Sequence, residues 1–136
     1  MTRDVLLDAG PIIAYLHTRD QWHASCAPLW PTLIERLVTT EAVLTEACYL
    51  ALRAGSAALP LEFLLDAEVP ILGLDRERHA LAARLMRRYA DLPMDYADAS
   101  LVALADALAI SRAFTTDRRG FGTYRGARGR AFDLLP

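Results

Sequence analysis

Short apolar runs alternate along the chain with longer stretches in which apolar positions recur at helical spacing. The short runs are typical of buried strands, and the longer stretches are typical of amphipathic helices. Strands are predicted at 5–7, 37–40, 69–72 and 113–116, with a last short strand at 131–135. Pro70 places the third strand at an edge of the sheet, because proline cannot donate a ladder hydrogen bond.

Helical segments separate these strands. Gly10-Pro11 starts the first helix directly after Asp8, because proline is favoured in the first turn of a helix. Further helices are predicted at 21–36 with breaks at Pro28 and Pro31, at 41–53, at 57–66, at 75–89 and at 95–109. Strands that alternate with helices predict one α/β domain over residues 1–136, with a mostly parallel sheet.

The composition agrees with a single globular domain, since 54% of the 136 residues are hydrophobic and 24% are charged. The 15 basic residues, all arginine, stand against 17 acidic ones and leave a net charge of -2. This balance excludes a basic field over the whole protein of the kind that grips nucleic acid, but it allows a local basic patch. The absence of lysine has two interpretations: a coding bias, or a use of guanidinium groups, which match phosphates and carboxylates better than an ammonium group does.

Several classes of site and location find no support in the sequence. Cys26 and Cys48 have neither the number nor the spacing of a disulfide framework or a metal site, so we expect two buried thiols in a reducing compartment. The three histidines are scattered, and no nucleotide-binding or serine-hydrolase motif occurs. No signal peptide or membrane-spanning run is present, so we expect a soluble, cytoplasmic protein without membrane contacts.

Two acidic residues stand directly after predicted strands. Asp8 follows the first strand, and Asp117 follows the strand at 113–116. Ligands of open α/β sheets bind outside the carboxyl ends of the strands. We therefore expect these two carboxylates to meet, although 109 positions separate them in sequence.

Further acids lie within apolar helix faces. Asp98 shares a face with Leu101 and Val102, and Asp95, three residues earlier, leans to the same side. Glu46 likewise lies among the apolar positions of its own helix. Because an ionised carboxylate buried without a partner is costly, acids at such positions indicate a function.

Each acid taken alone also suits a structural role. Asp95 fits a helix N-cap, Asp98 the positive end of a helix, Glu46 an ion pair with Arg53 or another arginine, and Asp117 a turn. Together, however, they suggest one cluster, and clustered carboxylates stay ionised only beside a cation. Oxygen ligands without Cys or His select Mg²⁺ or Mn²⁺, and such a site suits phosphodiester hydrolysis.

Four short motifs carry a family resemblance. They are Asp8-Ala9-Gly10-Pro11, Thr45-Glu46-Ala47, the segment from Pro93 to Ala103, and Thr115-Thr116-Asp117-Arg118-Arg119 with Phe121. In this order they resemble the PIN-domain nucleases and, more narrowly, the VapC-type toxins of bacterial toxin–antitoxin modules. The similarity covers essentially the whole chain, and the third motif and the order of the four acids are its most specific parts.

The resemblance implies a three-layer α/β/α sandwich and a Mg²⁺-dependent endoribonuclease, with Mn²⁺ as a second possible metal. The family's metal-binding aspartates correspond to Asp8 and Asp98. Glu46 and Asp117 complete the acidic quartet and bind metal or activate water. Thr115 corresponds to a hydroxyl residue that supports the site.

Two positions depart from the family pattern, and the role of a third position is open. Ala9 stands where Thr or Ser is common, and Gly120 stands where many relatives carry another Asp. The missing acid puts only an auxiliary contact to a second metal ion in doubt. Asp95 is either a helix cap or a secondary ligand.

A cluster of arginines follows Asp117, interrupted by four glycines. Its members are Arg118, Arg119, Arg125, Arg128 and Arg130. The cluster is either a solvated loop or a flexible basic loop that receives RNA phosphates, with Arg118, Arg119 and Arg125 as the RNA contacts. Tyr124 and Phe121 are candidates for stacking on bases, and a core position is the alternative for Phe121.

The N-terminal apolar segment is a candidate protein interface. Trp22 and Trp30 indicate packing in the core or at an interface. Together with Leu16 and Leu29 they predict a groove for a helix of a cognate antitoxin. The resemblance also implies a homodimer. Two alternative functions are an RNA-processing nuclease without an antitoxin and a catalytically silent PIN domain that binds RNA or protein, although the intact quartet argues against the silent domain.

Overall fold

Five strands form the central sheet of the computed structural model, which describes residues 2–136. They are β1 (Val5–Leu7), β2 (Leu37–Thr40), β3 (Ile71–Leu72), β4 (Arg112–Phe114) and β5 (Asp133–Leu135). The strand order is β3-β2-β1-β4-β5, and all four pairings are parallel. The predicted parallel sheet is therefore confirmed, and β3, which follows Pro70, lies at an edge as expected.

Helices cover both faces of this sheet, which confirms the predicted α/β/α architecture. They are α1 (Ala9–Leu16), α2 (His23–Cys26), α3 (Trp30–Leu33), α4 (Glu41–Leu52), α5 (Leu59–Asp66), α6 (Arg76–Arg88), α7 (Tyr96–Leu108) and α8 (Arg118–Thr123). Helix α7 packs along α6 and also contacts α4 and β2, while α1 contacts α4 and α5. Nine consecutive residues of α7, from 97 to 105, are buried, so this helix is a central element of the core.

The segment at 21–36 is more broken than a single interrupted helix. It forms α2 and α3, joined and followed by short 3-10 turns. Trp30 is buried in the core, where its indole N–H donates to the Pro11 carbonyl over 3.1 Å and its ring packs edge-on against Phe114. Trp22 is half-buried against the same core.

Two other expectations need correction. The arginine-rich segment is not simply a loop, because residues 118–123 form α8 and an antiparallel bridge joins Arg125 to Ala131. Cys26 is buried as expected, but Cys48 is only half-buried. Among residues 2–136, no helix has the length and apolar character needed to cross a bilayer.

Candidate metal centre

Asp8 and Asp117 lie beyond the carboxyl ends of the adjacent strands β1 and β4. The chain runs from β1 to β2 on one side and returns to β4 on the other, so this is the point where the strand order reverses. Thr115 connects the two acids directly. Its hydroxyl donates to Asp8 Oδ2 over 2.7 Å and accepts the Asp117 backbone N–H over 3.0 Å. The structure thus brings together acids that are 109 positions apart.

The position of Asp8 is set by the change from strand to helix. Its backbone N–H donates to the Phe114 carbonyl and prolongs the β1–β4 ladder, while its Oδ1 accepts the Ala9 N–H over 2.8 Å and caps α1. Gly10 is required in the first turn of α1, because a Cβ atom there would overlap the Thr116 hydroxyl. The Asp8 side chain is consequently buried and held from both sides.

Asp98 lies in the first turn of α7. Asp95 caps this helix and accepts the Asp98 backbone N–H over 2.8 Å. The Asp98 side chain is buried and accepts a hydrogen bond from the Tyr124 hydroxyl at Oδ2 over 2.7 Å. Asp98 is therefore oriented by a side chain from a distant segment, whereas Asp95 is exposed and acts as the cap that was one of its two predicted roles.

Glu46, on α4, lies near Asp8 and Asp95. Thr40, the N-cap of α4, shares a 2.7 Å hydrogen bond with Ser100 of α7, which fixes the start of α4 against α7. Glu46 is half-buried, and the carboxylates of Asp8 and Asp95 are among the charges that act on it. All four acids of the predicted quartet thus belong to one region of the molecule.

The acids of this region repel one another. Burial, with nearby carboxylates as a further cause, raises the pKa of Asp8 to about 6, that of Glu46 to about 7 and that of Asp98 to about 8. The charge of Asp117 contributes to each of these increases. Such pKa values are typical of a carboxylate cluster that lacks a compensating cation.

No basic side chain of the described residues neutralises the cluster. The ion pairs among residues 2–136 are Arg36–Asp4 and Arg78–Asp75, and both lie elsewhere. The structural alternative of a pair between Glu46 and Arg53 is therefore wrong. The negative charge of the cluster remains available for a bound cation.

The donor set fits a hydrated hard cation. Within residues 2–136, no three His, Cys, Asp or Glu side chains converge closely enough to form a closed cage of ligands. Mg²⁺ does not need such a cage, because it keeps several water ligands and is usually held by one or two carboxylates. The oxygen-only surroundings of Asp8 and Asp98 match Mg²⁺ and Mn²⁺ and do not match Zn²⁺.

Tyr124 contacts the acidic centre in a way that the sequence did not predict. The proposed stacking of Tyr124 on RNA bases is wrong, because its side chain is 1% exposed and its hydroxyl is engaged with Asp98. The rings of Tyr89 and Phe121 enclose it, each with its centroid 5.1 Å away. Phe121 is in the core, as its alternative prediction stated. Tyr124 and Asp98 are close in space, but no sequence motif links them.

Gly120 makes this arrangement possible. A Cβ atom at Gly120 would overlap the Asp117 carboxylate and lie 3.0 Å from the Tyr124 hydroxyl. The Asp117 carboxylate also caps α8 by accepting the Gly120 N–H over 2.9 Å. Where the family pattern has another acid, this chain therefore leaves room for a phenol that reaches Asp98.

The three arginines predicted to contact RNA are exposed, but two of them also have structural partners. Arg118 donates to the Pro136 carbonyl, and the Arg125 guanidinium donates to the carbonyls of residues 122–124. Arg119 is exposed on α8. Each of these side chains follows Asp117 closely in the chain.

The predicted antitoxin groove is only partly accessible. Trp30 is buried and cannot line it, so that part of the prediction is wrong. Leu16 is half-buried and lines a shallow hollow of about 40 Å³ between α1 and the segment that joins α4 to α5. Exposed apolar side chains are nevertheless present on α4 and α5, where Tyr49, Leu52 and Leu65 are each at least 60% exposed.

Known proteins resemble the chain at the levels of family and fold. A family model described as a PIN domain matches residues 5–126. Ribonuclease VapC26 of Mycobacterium tuberculosis is 28% identical over 135 residues, which cover 97% of this chain and all of that protein.

Two solved structures show the likeness of fold. VapC20 of Mycobacterium tuberculosis, a toxin that cleaves the sarcin–ricin loop, superposes with a TM-score of 0.77 at 18% identity, over 85% of this chain and 92% of that one. VapBC2 of Rickettsia felis, bound to promoter DNA, gives 0.69 at 12% identity over the whole of both chains. Because the family model spans most of the sequence, this protein belongs to the PIN domain family.

Proposed function

We propose that this protein is a divalent-metal-dependent endoribonuclease and the toxin of a type II toxin–antitoxin pair. The observation that carries the proposal is that Asp8, Glu46, Asp98 and Asp117 lie close enough beyond the carboxyl ends of β1 and β4 for their charges to act on one another, without a basic partner in the described chain. Membership of the PIN domain family and the likeness to a protein named ribonuclease VapC26 support RNA as the substrate.

Asp8 and Asp98 would hold Mg²⁺, or Mn²⁺, and Glu46 and Asp117 would bind the metal or accept a proton from the attacking water. When bound, the metal supplies a water of lowered pKa and stabilises charge on the phosphate. Thr115 orients Asp8 by donating to its Oδ2. The chain's own contribution is therefore a set of carboxylates held in fixed directions before the metal arrives.

Substitution of the two central aspartates tests this assignment. We expect Asp8→Asn and Asp98→Asn to lower Mg²⁺-dependent RNA cleavage by more than about 100-fold, because loss of an outer-shell partner alone costs 10- to 100-fold in metalloenzymes. The matched control is Asp133→Asn, since Asp133 is an exposed acid at the start of β5. Cleavage followed on a fluorescent RNA measures the effect, and retention of wild-type activity by either central variant would refute the metal site.

The same proposal includes a cognate antitoxin and a homodimer as partners. Solved relatives of this fold include toxin–antitoxin complexes from Salmonella typhimurium and Klebsiella pneumoniae. The exposed apolar side chains of Tyr49, Leu52 and Leu65 offer a surface that an antitoxin helix could cover. Co-expression with the product of a small upstream reading frame, followed by light scattering, should give a complex of toxin and antitoxin, whereas Leu52→Glu should weaken it. A complex unaffected by Leu52→Glu would place the antitoxin elsewhere.

A further inference from the structure

A groove runs beside the C-terminal half of α7. Its larger part has a volume of about 430 Å³ and lies between the end of α7 and the turn at 126–132. A smaller hollow of about 80 Å³ continues it towards α6. Asp106 and Gly126 line both parts, so the two hollows are adjacent, and we call them together the arginine groove.

The charge of this groove is strongly positive. Arg88 and Arg125 line the smaller part, and Arg128 and Arg130 line the larger part, against the single acid Asp106. None of these arginines belongs to an ion pair among residues 2–136. Four guanidinium groups facing one carboxylate leave a surface suited to a polyanion.

Arg128 has an unfavourable backbone conformation. Its φ of 57° and ψ of 28° lie in the left-handed region, which residues other than glycine and asparagine avoid. The turn around Arg128 is closed by backbone hydrogen bonds from Gly129 to Gly126 and from Arg130 to Ala127, whereas the Arg128 side chain donates no hydrogen bond within the described chain. The exposed Arg128 guanidinium is therefore available to an anion.

The arginine groove begins close to Asp98. The Arg125 backbone N–H donates to the Tyr89 hydroxyl over 3.1 Å, and the Tyr89 ring packs against Tyr124, whose hydroxyl holds Asp98. From Asp98 the lining residues Val102, Asp106 and Ile110 follow at intervals of four residues. At roughly 1.5 Å per residue, the groove therefore reaches about 18 Å from Asp98.

We propose that the arginine groove holds the phosphates of the RNA strand beside the bond that is cut. This inference rests on the proposed function and adds to it the path of the substrate. At roughly 3.4 Å per phosphate in a stacked strand, the path from Asp98 to the far end of the groove would pass about five phosphates. Phosphate contacts of this kind position the strand and carry no base specificity.

Cleavage kinetics on RNAs of two lengths test the proposal. A single-stranded RNA of about 15 nucleotides fills the groove, whereas one of about four nucleotides occupies only the acidic centre. We expect the double variant Arg128→Asn with Arg130→Gln to raise KM for the long RNA about tenfold near 0.15 M salt. Each lost phosphate contact lowers the slope of log affinity against log salt concentration by about 0.7, and the variant loses two contacts. The kcat values, and the KM for the short RNA, should stay at wild-type levels.

Two further measurements separate a binding role from a structural one. Arg128→Asn should melt at or above the wild-type temperature, because asparagine tolerates the left-handed conformation. Arg53→Gln is the matched control, since Arg53 is exposed at the end of α4 and lines neither part of the groove. Its KM for the long RNA should not change.

The outcomes distinguish the two proposals. If the wild type cleaves RNA and the double variant has the same KM for the long RNA, the groove assignment is overturned and the nuclease function stands. If the wild type binds the long RNA without cutting it, and the double variant binds it more weakly and with less dependence on salt, the groove assignment is supported and the nuclease function is refuted. If the wild type neither binds nor cuts RNA, both proposals fall.

Discussion

The two ends of helix α7 have opposite chemistry. Its first turn carries Asp95 and Asp98 beside two further acids, whereas its last turns border the arginine groove. The helix dipole favours both arrangements, because the N-terminus of a helix stabilises negative charge and the C-terminus stabilises positive charge. The net charge of -2 thus conceals two regions of opposite sign, one towards each end of this helix.

The side chains of the two regions also differ in how many of their polar atoms are held by hydrogen bonds. In the acidic centre, Asp8, Asp98 and Asp117 each accept a hydrogen bond from a backbone N–H or a side chain of a fixed element. In the arginine groove, Arg128 and Arg130 are exposed and their side chains are free of ion pairs with the described chain. Chemistry on a phosphate needs rigid carboxylates, while binding of a strand tolerates long, mobile side chains.

The pH dependence of stability gives the largest expected difference between the two regions. Because the folded state raises the pKa values of Asp8, Glu46 and Asp98 to about 6, 7 and 8, it binds protons that the unfolded chain releases near pH 4. The stability of the metal-free protein should therefore fall as pH rises from about 4 to 8, by about 1.4 kcal/mol per pH unit for each extra proton bound.

Urea unfolding in EDTA at pH 5, 6, 7 and 8 measures this slope. Saturating Mg²⁺ should reduce it, since the cation replaces the protons, and Asp98→Asn should reduce it without metal. Asp133→Asn, and the Arg128→Asn variant of the groove, should keep the wild-type slope. A metal-free protein with the same stability at pH 5 and pH 8 would contradict the picture of mutually repelling acids.

A methyl group at Gly120 should expose the tight packing of the acidic centre. Gly120→Ala places a Cβ atom against the Asp117 carboxylate and the Tyr124 hydroxyl, so we expect a loss of about 1 to 3 kcal/mol in the free energy of unfolding. Gly122→Ala is the control on the same helix, because nothing lies within 4 Å of a Cβ atom there. It should be neutral or slightly stabilising, as alanine favours helix. Equal effects of the two substitutions would show that the centre has spare room.

Removal of the Tyr124 hydroxyl should have a smaller effect, confined to metal binding. Tyr124→Phe keeps the buried ring but removes the hydroxyl that donates to Asp98. We therefore expect the affinity for Mn²⁺, measured by electron paramagnetic resonance, to fall about tenfold. Tyr89→Phe removes a neighbouring hydroxyl that contacts the Arg125 backbone and no acid of the centre. Its Mn²⁺ affinity should remain at the wild-type level, and a similar loss in both variants would assign the effect to packing.

Parts of the fold and the site could be predicted because their signals are local. A short apolar run ending at an acid defines a strand end, and Asp98 within an apolar helix face defines an inward-facing carboxylate. The boundaries moved by a few residues, as at β4, which ends at Phe114 rather than at Thr116. Such shifts do not change the predicted positions of the acids, because the periodicity of a strand or helix is the same when its end moves by a few residues.

Other features depended on contacts between distant segments. Tyr124 contacts Asp98 across 26 positions, and Thr40 contacts Ser100 across 60. The exposed arginines beyond Asp117 looked like one loop, but α8 and the bridge at Arg125 divide them into separate groups. Neither a pairing of polar side chains nor the division of a charged segment leaves a periodic pattern in the sequence.

The sequence by itself determined the α/β architecture, the edge position of β3 and the four acids, because hydrophobic periodicity and strand ends are encoded within a few neighbouring residues. Only the tertiary structure decided that the Tyr124 phenol, for which Gly120 leaves room, donates to Asp98, and that four arginines line a groove along α7. These arrangements arise when chain segments tens of residues apart are packed together, and the energy of a contact depends on distance in space rather than on position in the chain.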